Sequence, residues 1–100
     1  MKDAAVVVKA SYKTPIIQHC HIENNISYAY MENGRIVVVS STQIPHIVRR
    51  VIGQALGIPW GKVRVIKPYI GGGFGNKQDV LYEPLNAFLT MAVGGRAVKL

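Results

Sequence analysis

Apolar residues at Ile44, Ile47, Val48, Val51, Ile52, Ala55 and Leu56 recur at the spacing that places them along one side of a helix. No other feature of the 100-residue chain constrains its fold as tightly, because this stripe lies between two runs of strand character, Arg35–Ser40 and Lys62–Ile66. Strand, helix and strand in that order predict a βαβ-like centre. The helix ends are marked too. Pro45 suits a first turn, where a missing N–H costs nothing, and Ser41 and Thr42 stand where they can cap. Gly57 is the expected left-handed C-terminal residue, with Pro59 just beyond. His46, Arg49, Arg50 and Gln54 take the opposite side of the helix.

Upstream, Asn33-Gly34 separates Ile26–Tyr30 from Arg35–Ser40, and this dipeptide between two strand-like runs predicts a β-hairpin. Ala4–Val8 reads as a further strand, broken by Thr14-Pro15, and Ile16–Glu23 as an extended segment ended by Asn24-Asn25. Downstream, a second helix is expected from about Val80 to Val93, with Pro84 in its first turn. Its apolar face would be Leu81, Leu85, Phe88, Leu89 and Ala92. Arg96–Leu100 has the pattern of a strand only begun, which suggests a piece of a larger protein. The expected class is α+β: a mixed sheet containing a β-hairpin, with two helices.

At +7, with five acidic residues against twelve basic ones, nucleic acid is the first partner to consider. The basic residues are scattered, however, and only Arg49 and Arg50 are adjacent. An anionic ligand or a basic face meeting another protein fits better. No apolar run approaches the roughly 20 residues of a membrane span, so no membrane partner is expected. Met1-Lys2-Asp3 does not open a secretory leader, and the single Cys20 suits a reducing, cytoplasmic setting.

Two clusters invite chemistry. Gly71-Gly72-Gly73-Phe74-Gly75, with Lys77 close behind, is a loop with few side-chain obstacles, suited to holding an anionic group against backbone N–H donors. It is neither a P-loop, since Lys77 is followed by Gln78, nor a dinucleotide fingerprint, since Asn76 stands where the third glycine belongs. In an extended segment His19 and His21 share one face, but two histidines are not a metal site, and Cys20 between them is expected to be a small core residue.

Several stretches together resemble one contiguous region of the molybdenum hydroxylases, the xanthine dehydrogenase and aldehyde oxidase family. They are Ser41-Thr42-Gln43-Ile44-Pro45-His46, the helix through Pro59, Lys62–Val65, and Ile70–Gly75 with Lys77. His19 with Ile22-Glu23 is similar to that family's H-x-x-[ML]-E segment. The likeness is strongest to the molybdenum-binding subunits of bacterial xanthine dehydrogenases.

The resemblance implies a partial molybdopterin-binding domain over residues 1–100. It implies a molybdenum–molybdopterin cofactor, plain or as the cytosine dinucleotide, with iron–sulfur and FAD centres on partner domains or subunits. Gln43 would hydrogen-bond an oxygen ligand of the molybdenum. Gly73, Phe74 and Gly75 would lie against the cofactor, Phe74 and Gly75 through their backbone amides. Gln78 stands where the family carries an acid, and its neutral amide would contact a purine-like substrate by hydrogen bonding alone. The family's catalytic glutamate and substrate arginine lie far downstream, so no catalytic base is assigned in this chain, which is expected to be inactive alone. Two other readings remain: an aldehyde oxidase-type hydroxylase of the same family, or a basic binding module without enzymatic activity.

Overall fold

The computed structural model describes residues 3–100. It contains four strands and two helices: β1 (Ser27–Glu32), β2 (Arg35–Ser40), α1 (Pro45–Leu56), β3 (Val63–Ile66), α2 (Glu83–Ala92) and β4 (Val98–Lys99), with a 3-10 turn at Trp60–Lys62 before β3. The sheet order is β3-β2-β1-β4. β1 and β2 pair antiparallel from Ser27↔Ser40 to Glu32↔Arg35. The turn between them places Asn33 at φ 49° and Gly34 at φ 70°. Both central residues at positive φ match the right-handed twist of the flanking strands, which is why Asn-Gly closes this hairpin. β3 pairs parallel with β2 and so completes the βαβ centre through α1. β4 pairs antiparallel with β1, extended by paired backbone bonds between Ser27 and Leu100.

Both helices lie on one face of the sheet. The core there joins Ala29, Ile36, Val38 and Val63 of the strands to Val48 and Ile52 of α1 and Ala87 of α2. The stripe expected on α1 is therefore the buried one at Val48 and Ile52, while Ile47, at its margin, is 36% exposed. The capping differs from the expectation. Ile44 takes the N-cap position without a side-chain bond, and its own N–H donates to the hydroxyl of Thr42, two residues earlier. Gly57 ends the helix in the left-handed conformation as expected.

α2 corrects the sequence reading most. It begins at Glu83 rather than Val80, and its apolar face is turned away from the sheet: Leu81, Leu85 and Phe88 are 49%, 48% and 55% exposed. Glu83, Asn86, Ala87 and Thr90 face inward instead. The physical reason is a set of partners in the strands. The Ser40 hydroxyl donates to Glu83 Oε1 at 2.6 Å, and Asn86 Nδ2 donates to the Ser27 carbonyl at 2.9 Å and to its hydroxyl at 2.6 Å. Leu81 N–H also donates to Glu83 Oε2. Buried polar groups so paired cost little, whereas the same groups left unpaired would each be expensive; of these groups Asn86 Oδ1 alone is buried without a partner among the described residues.

The segment before β1 is the second correction. Ala4–Val8 forms no strand, nor does Ile16–Glu23, and residues 3–20 are exposed throughout. Val6, Val7 and Val8 have the residue type of a strand but no neighbour to pair with, and pairing is what stabilises a strand. This arm stretches the molecule to 68 Å, with a radius of gyration of 19.8 Å against roughly 13 Å for a compact chain of this length. Cys20, expected in a core, is exposed and at φ 52°. Lys62 belongs to the 3-10 turn, and the strand starts one residue later.

Candidate functional site

Three segments far apart in sequence converge around the glycine loop: the end of the arm at His21–Glu23, the step Thr42-Gln43 between β2 and α1, and Gly71–Lys77. Gln43 N–H donates to the Lys77 carbonyl at 2.8 Å, and Lys77 N–H returns a bond to Gln43 Oε1 at 3.3 Å. The Thr42 hydroxyl bonds the same carbonyl at 3.5 Å. Gly71 N–H donates to Glu23 Oε2 at 2.9 Å, and the Lys77 ammonium pairs with that same carboxylate oxygen. His21 Nε2 and Asn76 Nδ2 lie 2.8 Å apart. Inside the loop, Asn76 N–H closes a tight turn onto the Gly73 carbonyl at 2.7 Å.

This convergence explains the run of glycines. A Cβ on Gly71 would stand 2.7 Å from Glu23 Cβ, and one on Gly73 would stand 2.6 Å from both Cδ and Oε1 of Gln43. Each glycine is a site of close approach to a different side chain, not a flexible spacer. Gly75 is different: a Cβ there meets nothing, but its φ of 89° is a conformation that other residues avoid. Phe74 is held at φ 49°, an uncommon value for a bulky residue, and its ring is 72% exposed.

The electrostatics are concentrated on Glu23. The hydrogen bond from Lys77, then that from the Gly71 N–H, holds its carboxyl below the usual carboxylate range. A group with a depressed folded-state pKa stabilises the fold above its unfolded pKa, about 4.3, and loses that contribution as pH falls through the folded value. The stability difference between the wild-type chain and Glu23→Gln is therefore expected to be full at neutral pH and to shrink steadily below about pH 4.3. Urea titrations of both proteins across that range check it. A difference independent of pH would show that the Glu23 charge contributes nothing.

The candidate residues fall in two groups. Gln43 and Gly73 touch, and Phe74 and Gly75 continue the same loop at the surface. Gln78 is exposed one step beyond the loop, making no side-chain hydrogen bond among the described residues. Lys77, expected to offer its charge to an anionic ligand, does not: its side chain is 1% exposed and its ammonium is taken by Glu23. Sequence reasoning missed this pair and the approach of His21 to Asn76. The only signal for it was the family-like spacing of His19, Ile22 and Glu23. Among the described residues no three His, Cys, Asp or Glu side chains gather as a metal site.

The family model of the molybdopterin cofactor-binding domain matches residues 1–100. The chain belongs to this family. As a molybdopterin cofactor-binding domain it is 67% identical over 93 residues to the xanthine dehydrogenase molybdenum-binding subunit of Escherichia coli O157:H7, a match covering 92% of this chain and 12% of the relative. It is 36% identical over 96 residues to the aldehyde oxidoreductase molybdenum-binding subunit of Escherichia coli strain K12, covering 96% of this chain and 13% of that one. Among solved structures, quinoline 2-oxidoreductase from Pseudomonas putida 86 superposes with a TM-score of 0.77 at 28% identity, covering 98% of this chain and 13% of that one. The chain thus spans about 12% of the length of the curated xanthine dehydrogenase relative.

The residues present fit the cofactor this family binds. The backbone N–H groups of Gly72, Gly73, Phe74 and Gly75 donate to no group among the described residues. The Gln43 carboxamide has its oxygen occupied by Lys77 N–H, leaving its –NH₂ as the donor. An open groove of about 500 Å³ lies between Cys20–Glu23 and the loop at Gly71, Gly72 and Phe74. Free donors on a glycine backbone beside a groove suit an oxygen-rich, anionic group.

Proposed function

We propose that this chain is the cofactor-facing segment of the molybdenum-binding subunit of a xanthine dehydrogenase-type hydroxylase, one that hydroxylates a purine or related heterocycle with oxygen from water. The observation that carries the reading is the arrangement at the loop, where Gln43 is locked by two backbone bonds to Lys77 beside a row of unpaired N–H groups. The 67% identity to a xanthine dehydrogenase subunit, against 36% to an aldehyde oxidoreductase subunit, favours a purine over an aldehyde.

In this reading the bound molybdenum cofactor supplies the redox centre for the hydroxylation. The chain's own residues hold it: the Gln43 –NH₂ donates to an oxygen of the group, and the N–H groups of Phe74 and Gly75 donate to its periphery. Gln78 meets the substrate through a neutral amide. Electrons leave toward iron–sulfur and FAD centres carried by partner domains or subunits. A cytoplasmic setting accords with the lone, exposed Cys20, and no helix among the described residues is long and apolar enough to cross a membrane.

The test uses the Escherichia coli O157:H7 relative with this chain substituted for the segment it matches. Gln43→Ala should retain molybdenum but turn over about 10–1000-fold more slowly, as for the loss of one preorganised donor. Lys62→Ala, exposed in the turn before β3, should match the parent. Normal turnover of Gln43→Ala would remove Gln43 from the site.

A further inference from the structure

Lys77 is the buried cation of the described residues that the proposed reaction leaves unused. Its side chain is 1% exposed, and a lysine buried to that degree survives only with a paired charge. Its partner Glu23 lies 54 positions earlier, on the arm rather than in the sheet or helices. The rest of Lys77 is engaged as well. Its N–H and carbonyl both bond Gln43, and the Thr42 hydroxyl approaches the same carbonyl. Glu23 in turn receives Gly71 N–H at the other end of the loop. A single carboxylate oxygen thus joins both ends of Gly71–Lys77, and one residue, Lys77, connects that junction to Gln43. His21 beside Asn76 ties the same two segments a second time.

We propose that Glu23 and Lys77 form a positioning clasp, which fixes the glycine loop and the Gln43 carboxamide in one relative arrangement, with Gly73 against Gln43. The proposal deepens the cofactor reading and rests on it for its consequence, though not for its geometry. The Lys77 ammonium is buried and taken up by Glu23, so it does not touch a ligand through its charge. Their effect is transmitted through Gln43 and Gly71. The clasp also gives the end of the arm a role: without His21–Glu23 the loop loses its two ties outside the β2–α1 connection.

The chemistry of the two residues predicts an asymmetry. Lys77→Met keeps the length and apolar stem of the lysine and leaves a carboxylate that can still reach water. Glu23→Gln leaves a buried ammonium without a countercharge, the costlier of the two. Both should loosen the loop, Glu23→Gln more.

The experiment reads amide hydrogen exchange in the full 100-residue chain at Gln43, Asn76 and Lys77, whose N–H groups are bonded within the site, with Val38 of the central strand as internal reference. Lys77→Met should speed exchange at all three about 10–100-fold, the consequence of losing a charge-assisted hydrogen bond, with Val38 unchanged. The double variant Glu23→Gln with Lys77→Met should be no faster than Glu23→Gln alone, because the two act as a unit. Unchanged exchange at the three sites overturns the clasp, and so does exchange that rises equally at Val38, which would mean general unfolding. A second measurement separates the clasp from the cofactor reading. In the substituted Escherichia coli subunit, Lys77→Met should lower molybdenum content on purification. Faster loop exchange with full molybdenum content would overturn the positioning role while leaving the cofactor assignment to the Gln43 test.

Discussion

Gly73→Ala and Gly75→Val are both expected to deprive the substituted Escherichia coli subunit of its molybdenum, for different physical reasons. At Gly73 the added methyl would lie 2.6 Å from Cδ and Oε1 of Gln43, closer than carbon atoms pack, and Gln43 is held by backbone bonds to Lys77. The loop and the carboxamide cannot both keep their places. At Gly75 there is open space for a side chain, but φ is 89°, and a β-branched residue there forces the backbone into another conformation. The N–H groups of Phe74 and Gly75 then turn away from their present direction. Metal analysis of the purified proteins checks both, with Lys62→Ala as the control. Phe74→Ala should do much less, since the Phe74 ring, which lines one side of the groove, is 72% exposed and its truncation leaves the backbone N–H groups in place. Full molybdenum content in Gly75→Val would show that the loop is not the cradle.

Ile52→Ala should bring the 100-residue chain close to unfolding. Ile52 is fully buried at the centre of the contact between α1 and the sheet, with Val48, Ile36, Val38 and Val63 in the same cluster. Truncating a buried isoleucine costs roughly 2–5 kcal/mol through lost transfer energy and the cavity left behind. Net stability of a domain is only about 5–15 kcal/mol. This chain belongs at the low end, because Leu81 before α2 and Leu85 and Phe88 on it remain near half exposed, and residues 3–20 are exposed throughout. Ile47→Ala, on the same helix but 36% exposed, should cost less than about 1 kcal/mol. Urea unfolding of the two variants side by side measures the difference. Equal midpoints would mean that the α1 stripe is not the core.

Local pattern was enough wherever one element's own residues decide its conformation. The 3.6-residue period of Ile44–Leu56, the stop at Gly57 and the Asn33-Gly34 turn all act over a few positions, and the helix, its end and the hairpin appear where those signals place them. The glycine loop was legible for the same reason, since a run of residues without side chains announces close approach. What it approaches was not.

α2 shows where local pattern fails. Its apolar residues fall on one face, yet that face points outward, because Ser27 and Ser40 on the strands offer hydrogen bonds that Glu83 and Asn86 complete. Which face of a helix is buried depends on what the opposing surface supplies, and that surface comes from residues more than 40 positions away. Ala4–Val8 fails in the opposite sense: strand-forming residues make no strand without a neighbouring edge to bond. The junction of Glu23, Gln43 and Lys77 is the extreme case. By itself the sequence determined a βαβ centre, a hairpin and a glycine loop. Only the tertiary structure decided that a carboxylate on the arm neutralises a buried lysine beside Gln43, because charge pairing across 54 residues has no period and leaves no trace in local spacing.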